Sequence, residues 1–146
     1  MAPLLSRSIK HILMMRIIPT RFHGVLDYFV GAFLMLTPWA FGFWRNGLES
    51  WVPILLGGGA IVYSLLTNYE LGRVKIIPMR THLWLDAGSG LFLALSPWIF
   101  RFSDYVYLAH VVLGLLEMAV SMLTDPHPYA QARRRPVEAI QSRPRL

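Results

Sequence analysis

The 146-residue chain contains no cysteine. That absence excludes disulfides, thiolate metal centres, iron–sulfur clusters, covalently attached c-type haem and thiol–disulfide chemistry. Charge is also scarce, at 15% of residues, and acid is scarcer than base, with eight Asp and Glu against fourteen Lys and Arg. Together with 55% hydrophobic residues and a mean hydropathy of +0.46, this departs from an ordinary soluble domain, in which about 25% of residues are charged. A net charge of +6 raises nucleic acid as a partner in a soluble protein. Here the basic residues stand outside the apolar runs, so no nucleic-acid partner is expected. No serine has a nucleophile-elbow context, and the glycines at 57–59 lack the lysine of a phosphate-binding loop. No catalytic residue is therefore expected, and the chain reads as non-enzymatic.

What is present is apolar length. Four windows, near 22–44, 51–68, 81–102 and 105–124, approach the roughly 20 residues needed to cross about 30 Å of hydrocarbon at about 1.5 Å per residue. Their short connections make neighbouring spans antiparallel. Placing both termini and the middle connection on one side gathers Arg7, Lys10, Arg16, Arg21, Arg73, Lys75, Arg80, Arg133, Arg134, Arg135, Arg143 and Arg145 there, leaving Arg45 and Arg101 opposite. The excess of positive charge then puts both termini in the cytoplasm of a multi-pass inner-membrane protein. Trp39, Trp44, Trp51 and Trp98 collect at the other end with Tyr105 and Tyr107, as an outer aromatic belt. In residues 1–20, Leu5, Ile9, Ile12 and Leu13 recur at helical spacing among Arg7, Lys10 and Arg16, which predicts an amphipathic helix on the inner leaflet. The run "ILMM" is too short for a signal-peptide core. Residues 126–146 form a basic, proline-broken tail, read as disordered and drawn to anionic lipid headgroups.

The chain says the same thing twice. "RFHGVLDYFVGAFLMLTPWAFGF" (21–43) and "RTHLWLDAGSGLFLALSPWIFRF" (80–102) agree at 12 of 23 positions, and "GGGAIVYSLLTN" (57–68) aligns with "GLLEMAVSMLTD" (114–125). Residues 21–68 and 80–125 are thus two copies of a two-span hairpin, joined by a cytoplasmic connection at 69–79. Two spans return the chain to the same side, so both copies have one orientation, related by a pseudo-twofold axis along the membrane normal. The fold class follows: an all-α transmembrane four-helix bundle of two tandem repeats. Pro53, Gly57, Ala60, Ser64 and Thr67 form a stripe on span two, matched by His110, Gly114, Glu117, Ser121 and Thr124 on span four. Spans one and three carry His23, Asp27, Gly31 and His82, Asp86, Gly90. Small and polar stripes mark helix–helix contacts in lipid, so these faces are expected inside.

The duplicated Thr37-Pro38-Trp39 and Ser96-Pro97-Trp98, each in the first helix of a hairpin, resemble the SPW-repeat family of small prokaryotic membrane proteins. The resemblance covers about residues 21–125, with Thr37 standing where the motif has serine. It implies membrane location and a two-span repeat, and it implies no reaction.

Pro38 and Pro97 lack the helical N–H and are expected to kink their helices near the outer interface, with Thr37 and Ser96 satisfying the freed carbonyls and Trp39 and Trp98 anchoring at headgroup depth. His23 with Asp27, and His82 with Asp86, lie four residues apart and so share a helix face. Their plain reading is a polar pair near the positive end of each helix. A sharper one is a symmetric ligand between the two pairs: haem b on His23 and His82, a quinone, a lipid headgroup or a divalent metal. No cofactor and no metal is the expectation. Glu117, near the middle of span four where the first copy has Ala60, is either hydrogen-bonded to Ser64 or Ser121 or part of a proton or cation path with His110. The leading functional reading is a scaffold or accessory subunit, bound to other membrane-protein subunits or to copies of itself.

Overall fold

The computed structural model describes residues 16–128. Among these, the chain forms four helices and no strand: α1 (Thr20–Ala40), α2 (Leu48–Leu66), α3 (Met79–Ile99) and α4 (Leu108–Leu123). α1 packs mainly on α2 and α3 on α4, while α2–α3 and α1–α4 contacts join the two hairpins into a bundle. The expected amphipathic helix falls almost wholly on residues before 16, and most of the basic tail follows 128, so both lie outside the described residues.

Each hairpin starts from a proline. Pro19 and Pro78 cap α1 and α3 with extended backbone, φ −68° and −61°. Their carbonyls accept the first helical hydrogen bonds from His23 N (3.0 Å) and His82 N (3.1 Å). Proline suits this place because its ring presets φ and it has no N–H to leave unpaired. The internal likeness therefore runs further back than residues 21 and 80, to Ile17-Ile18-Pro19 and Ile76-Ile77-Pro78. These lead-ins cross over. Ile18 N donates to Leu123 O (3.1 Å) and Asp125 N to Ile18 O (3.0 Å), tying the first lead-in to the exit of α4. Ile77 N donates to Leu66 O (2.9 Å) and Asn68 N to Ile77 O (2.8 Å), tying the second lead-in to the exit of α2.

At the far end, Pro38 and Pro97 lie in the last turns of α1 and α3, which stop at Ala40 and Ile99. They mark helix ends, where the expectation was a bend in a continuing helix. Ser96 Oγ donates to Leu93 O (2.7 Å), the carbonyl that Pro97 frees, whereas Thr37 Oγ1 donates to Phe33 O (2.8 Å), one residue short of the equivalent atom. Both prolines are fully buried, and Trp39 and Trp98 point outward, 53% and 54% exposed. The following turn needs left-handed backbone at Gly42 (φ 67°) and at its counterpart Arg101 (φ 59°). That conformation costs an ordinary residue about 1–2 kcal/mol, and glycine gives back about 0.5–1 kcal/mol through the flexibility of the unfolded chain. Arg101→Gly is therefore expected to stabilise the bundle by about 0.5–1 kcal/mol in a detergent unfolding titration; a loss of stability would contradict the reading.

Each hairpin has a glycine seam. A β-carbon on Gly57 would run into the Gly31 carbonyl and Leu34, and one on Gly114 into the Gly90 carbonyl and Ala94. Inside the bundle, Leu34, Leu93 and Val52 form an apolar layer. Outside lie large apolar side chains such as Phe29 (69% exposed), Leu55 (67%) and Trp84 (78%). By length and composition, α2 alone among the described helices is apolar enough to cross a bilayer unaided; α4 is similarly apolar but has 16 residues. α1 and α3 have the length, 21 residues each, but carry Arg, His and Asp in their first two turns.

Candidate functional site

Counting from each capping proline, His follows at the fourth position and Asp at the eighth, so a single helix face carries both. Because α1 and α3 begin at the same end, the two faces meet across the bundle axis. His23 Nε2 lies 3.2 Å from Asp27 Oδ1 and 3.0 Å from Asp86 Oδ2. His82 Nε2 lies 3.0 Å from Asp27 Oδ2 and 3.2 Å from Asp86 Oδ2. The two Nε2 atoms are 3.2 Å apart. The four side chains are almost wholly enclosed: His23 is 1% and His82 0% exposed, and the Asp27 and Asp86 side chains 8% and 5%.

Each histidine is oriented by a threonine from the other hairpin. Thr124 Oγ1 lies 2.9 Å from His23 Nδ1, and Thr67 Oγ1 lies 2.9 Å from His82 Nδ1. Those hydroxyls donate to Val120 O (2.6 Å) and Tyr63 O (2.7 Å) in the last turns of α4 and α2. A hydroxyl has one proton, so here it accepts from the imidazole. Both Nδ1 atoms therefore carry hydrogen, and both Nε2 atoms face the carboxylates. The carboxylates are held in turn: Tyr63 donates to Asp86 Oδ1 (2.6 Å) and Ser64 to Asp27 Oδ2 (3.1 Å). The symmetry stops there, because Val120 replaces Tyr63 in the second copy and Ser121 donates to Met118 O of its own helix (3.0 Å).

The remaining candidates stand elsewhere. His110 Nε2 donates to Glu49 O (3.0 Å) at the opposite end, between the rings of Phe43 and Phe102, and its Nδ1 has no partner among the described residues. Glu117 bonds neither Ser64 nor Ser121, both of which are already committed. Its Oε1 accepts from Ser89 Oγ (2.6 Å), and its Oε2 has no partner among the described residues. Ser89 escaped the sequence reading, although a signal existed: Ser89 and Glu117 are polar together where the first copy has Val30 and Ala60 together. Thr67 and Thr124 were placed on inward stripes, but their role as histidine partners was not seen.

A haem between His23 and His82 needs their nitrogens on opposite faces of a flat macrocycle. At 3.2 Å they leave no room for one, so a haem does not fit the site. The SPW motifs lie at the other end of α1 and α3 and build turns, not the quartet. Phe43 N donates to Pro38 O and Phe102 N to Pro97 O, each at 2.9 Å.

No curated protein and no solved structure matches the chain significantly. The family model for the SPW repeat domain does match, over residues 21–124, a span that takes in both hairpins, both proline-tryptophan turns and all four members of the quartet. The chain belongs to the SPW repeat domain family.

Proposed function

We propose that this protein is a multi-pass membrane scaffold whose two hairpins are bolted together at the cytoplasmic end by the His–Asp quartet. The observation that carries the reading is the inverted distribution of polarity. His23, His82, Asp86, Ser64, Thr67 and Thr124 are buried, while Phe29, Leu55, Trp84 and Leu115 face outward. A soluble bundle hides its apolar stripe, whereas a bundle in lipid packs through small and polar residues and turns Leu, Phe and Val to the tails. The 21-residue helices α1 and α3 reach about 31 Å at about 1.5 Å per residue, matching the hydrocarbon thickness. Their polar first turns sit at the end where Arg16, Arg21, Arg73 and Arg80 gather. The buried apolar cluster of Leu34, Leu93 and Val52 favours a closed scaffold over an ion path through Glu117. The exposed apolar sides then serve contacts with other membrane subunits or further copies, and the basic termini serve anionic lipid.

The absence of cysteine makes the topology directly testable. Asp104→Cys is expected to react with a membrane-impermeant maleimide in intact cells, and Arg73→Cys only after permeabilisation, with the chain retained in carbonate-washed membranes. A carbonate-soluble chain, or equal labelling at both sites, would sink the topology. Purification at native expression should bring a fixed set of subunits or a defined homo-oligomer; a lone monomer would count against the scaffold.

A further inference from the structure

The geometry points to a divalent-cation site of the zinc class, built from His23, Asp27, His82 and Asp86 on the axis between the two repeats. The inference goes beyond the scaffold reading and does not depend on the bundle lying in a membrane.

The donor set carries the argument first. Each of the four residues offers one ligand atom, and these atoms all lie within 4.8 Å of one another. The His23 Nε2, His82 Nε2 and Asp86 Oδ2 atoms form a nearly equilateral triangle with sides of 3.0, 3.2 and 3.2 Å. Asp27 reaches the same two nitrogens with its two oxygens, Oδ1 at 3.2 Å from His23 Nε2 and Oδ2 at 3.0 Å from His82 Nε2. Zinc bonds to imidazole nitrogen and carboxylate oxygen are about 2.0–2.2 Å, so the edges of a tetrahedral zinc site measure roughly 3.3–3.6 Å. The three edges of the triangle fall just below that range, so a small outward adjustment would admit the ion. Two imidazoles and two carboxylates with no open position is a closed, structural type of site.

The surroundings carry it second. Metal-binding histidines characteristically donate their other ring N–H to a fixed acceptor, which sets the tautomer and aims the lone pair at the metal. Thr124 and Thr67 do this at 2.9 Å for both histidines, and Tyr63 and Ser64 hold the two carboxylates in the same manner. Charge is the third element. With Nδ1 committed to the threonines, Nε2 is the atom each histidine would offer to a metal, and a divalent cation would balance the two enclosed carboxylates.

The test uses the full-length protein purified in detergent without histidine tag or chelator. Elemental analysis should find about one zinc-class ion per chain. After stripping with a chelator, titration with cobalt(II) alone should develop the visible d–d absorption of a tetrahedral ion, saturating at one equivalent and displaced by zinc. His82→Asn should abolish that absorption, and if it does not fold, Thr67→Val keeps all four ligands and removes only the orienting hydroxyl. Thr67→Val is expected to bind 10–100-fold more weakly, while Glu117→Gln should bind as the parent does. A folded parent that develops no tetrahedral spectrum would overturn the site. So would cobalt bound with unchanged affinity in both Thr67→Val and a folded His82→Asn, which would place the metal on surface histidine instead.

Discussion

Gly57→Leu and Gly114→Leu are each expected to dismantle a hairpin, lowering stability by more than about 3 kcal/mol, a penalty of the overpacking kind compounded by loss of the backbone contact. Neither seam can yield by rotating a side chain, because the atoms opposite are the Gly31 and Gly90 carbonyls. The internal control is close by. Nothing lies within 4 Å of a β-carbon built on Gly59 or Gly88, so Gly59→Leu and Gly88→Leu should be neutral or mildly stabilising, since leucine is the better helix former by about 0.8 kcal/mol. Reversible unfolding in mixed micelles compares all four variants. Equal effects at positions 57 and 59 would show that the hairpins are held by general lipophilicity and not by close backbone approach.

The second large effect is expected at the quartet, and it is non-additive. Asp86→Leu removes one carboxylate from two histidines at 3.0 and 3.2 Å and leaves the Tyr63 hydroxyl without its acceptor. Breaking one partner of a buried charged set costs about 3–5 kcal/mol, because the remaining charge stays enclosed without compensation. Replacing all four members with leucine should cost less than this single change, since apolar replacement of a whole buried ionic cluster is often neutral or better. Unfolding measurements on metal-free protein should return that order. A fourfold variant much weaker than Asp86→Leu would mean that the quartet supplies net stability beyond what packing can replace.

Much of this architecture is legible in the sequence. The 59-residue repeat of Arg-x-His-x-x-x-Asp, the two proline-tryptophan turns and the glycine and threonine matches at an offset of 57 were enough to predict two hairpins of one orientation and their inward faces. The pairing within the site was not legible. Alignment compares His23 with His82 and Thr67 with Thr124, and so treats each hairpin as a closed unit. The histidine of one copy takes its threonine from the other because Ile18 and Ile77 hydrogen-bond across the bundle, and those main-chain contacts have no side-chain signature. The partner of Glu117 was hidden for a related reason. Ser64 and Ser121 look like free hydroxyls in sequence, but one is drawn to Asp27 and the other to its own helix, which leaves Ser89. Helix ends shifted too. α4 begins at Leu108, after the connection has used Phe102 to Tyr107 to reverse direction.

The crossed lead-ins have one more consequence. Each copy brings a strap that fastens onto its neighbour's exit and a histidine that needs its neighbour's threonine, so a single hairpin has only half of each strap contact and of each histidine–threonine bond. Such an arrangement is an isologous dimer interface contained within one polypeptide, with the connection after α2 acting as a tether. Two chains of one hairpin each could close the same contacts. Fusion frees the halves to diverge, and Tyr63, Ser89 and Glu117 mark where they have done so, each present in one half without a counterpart in the other.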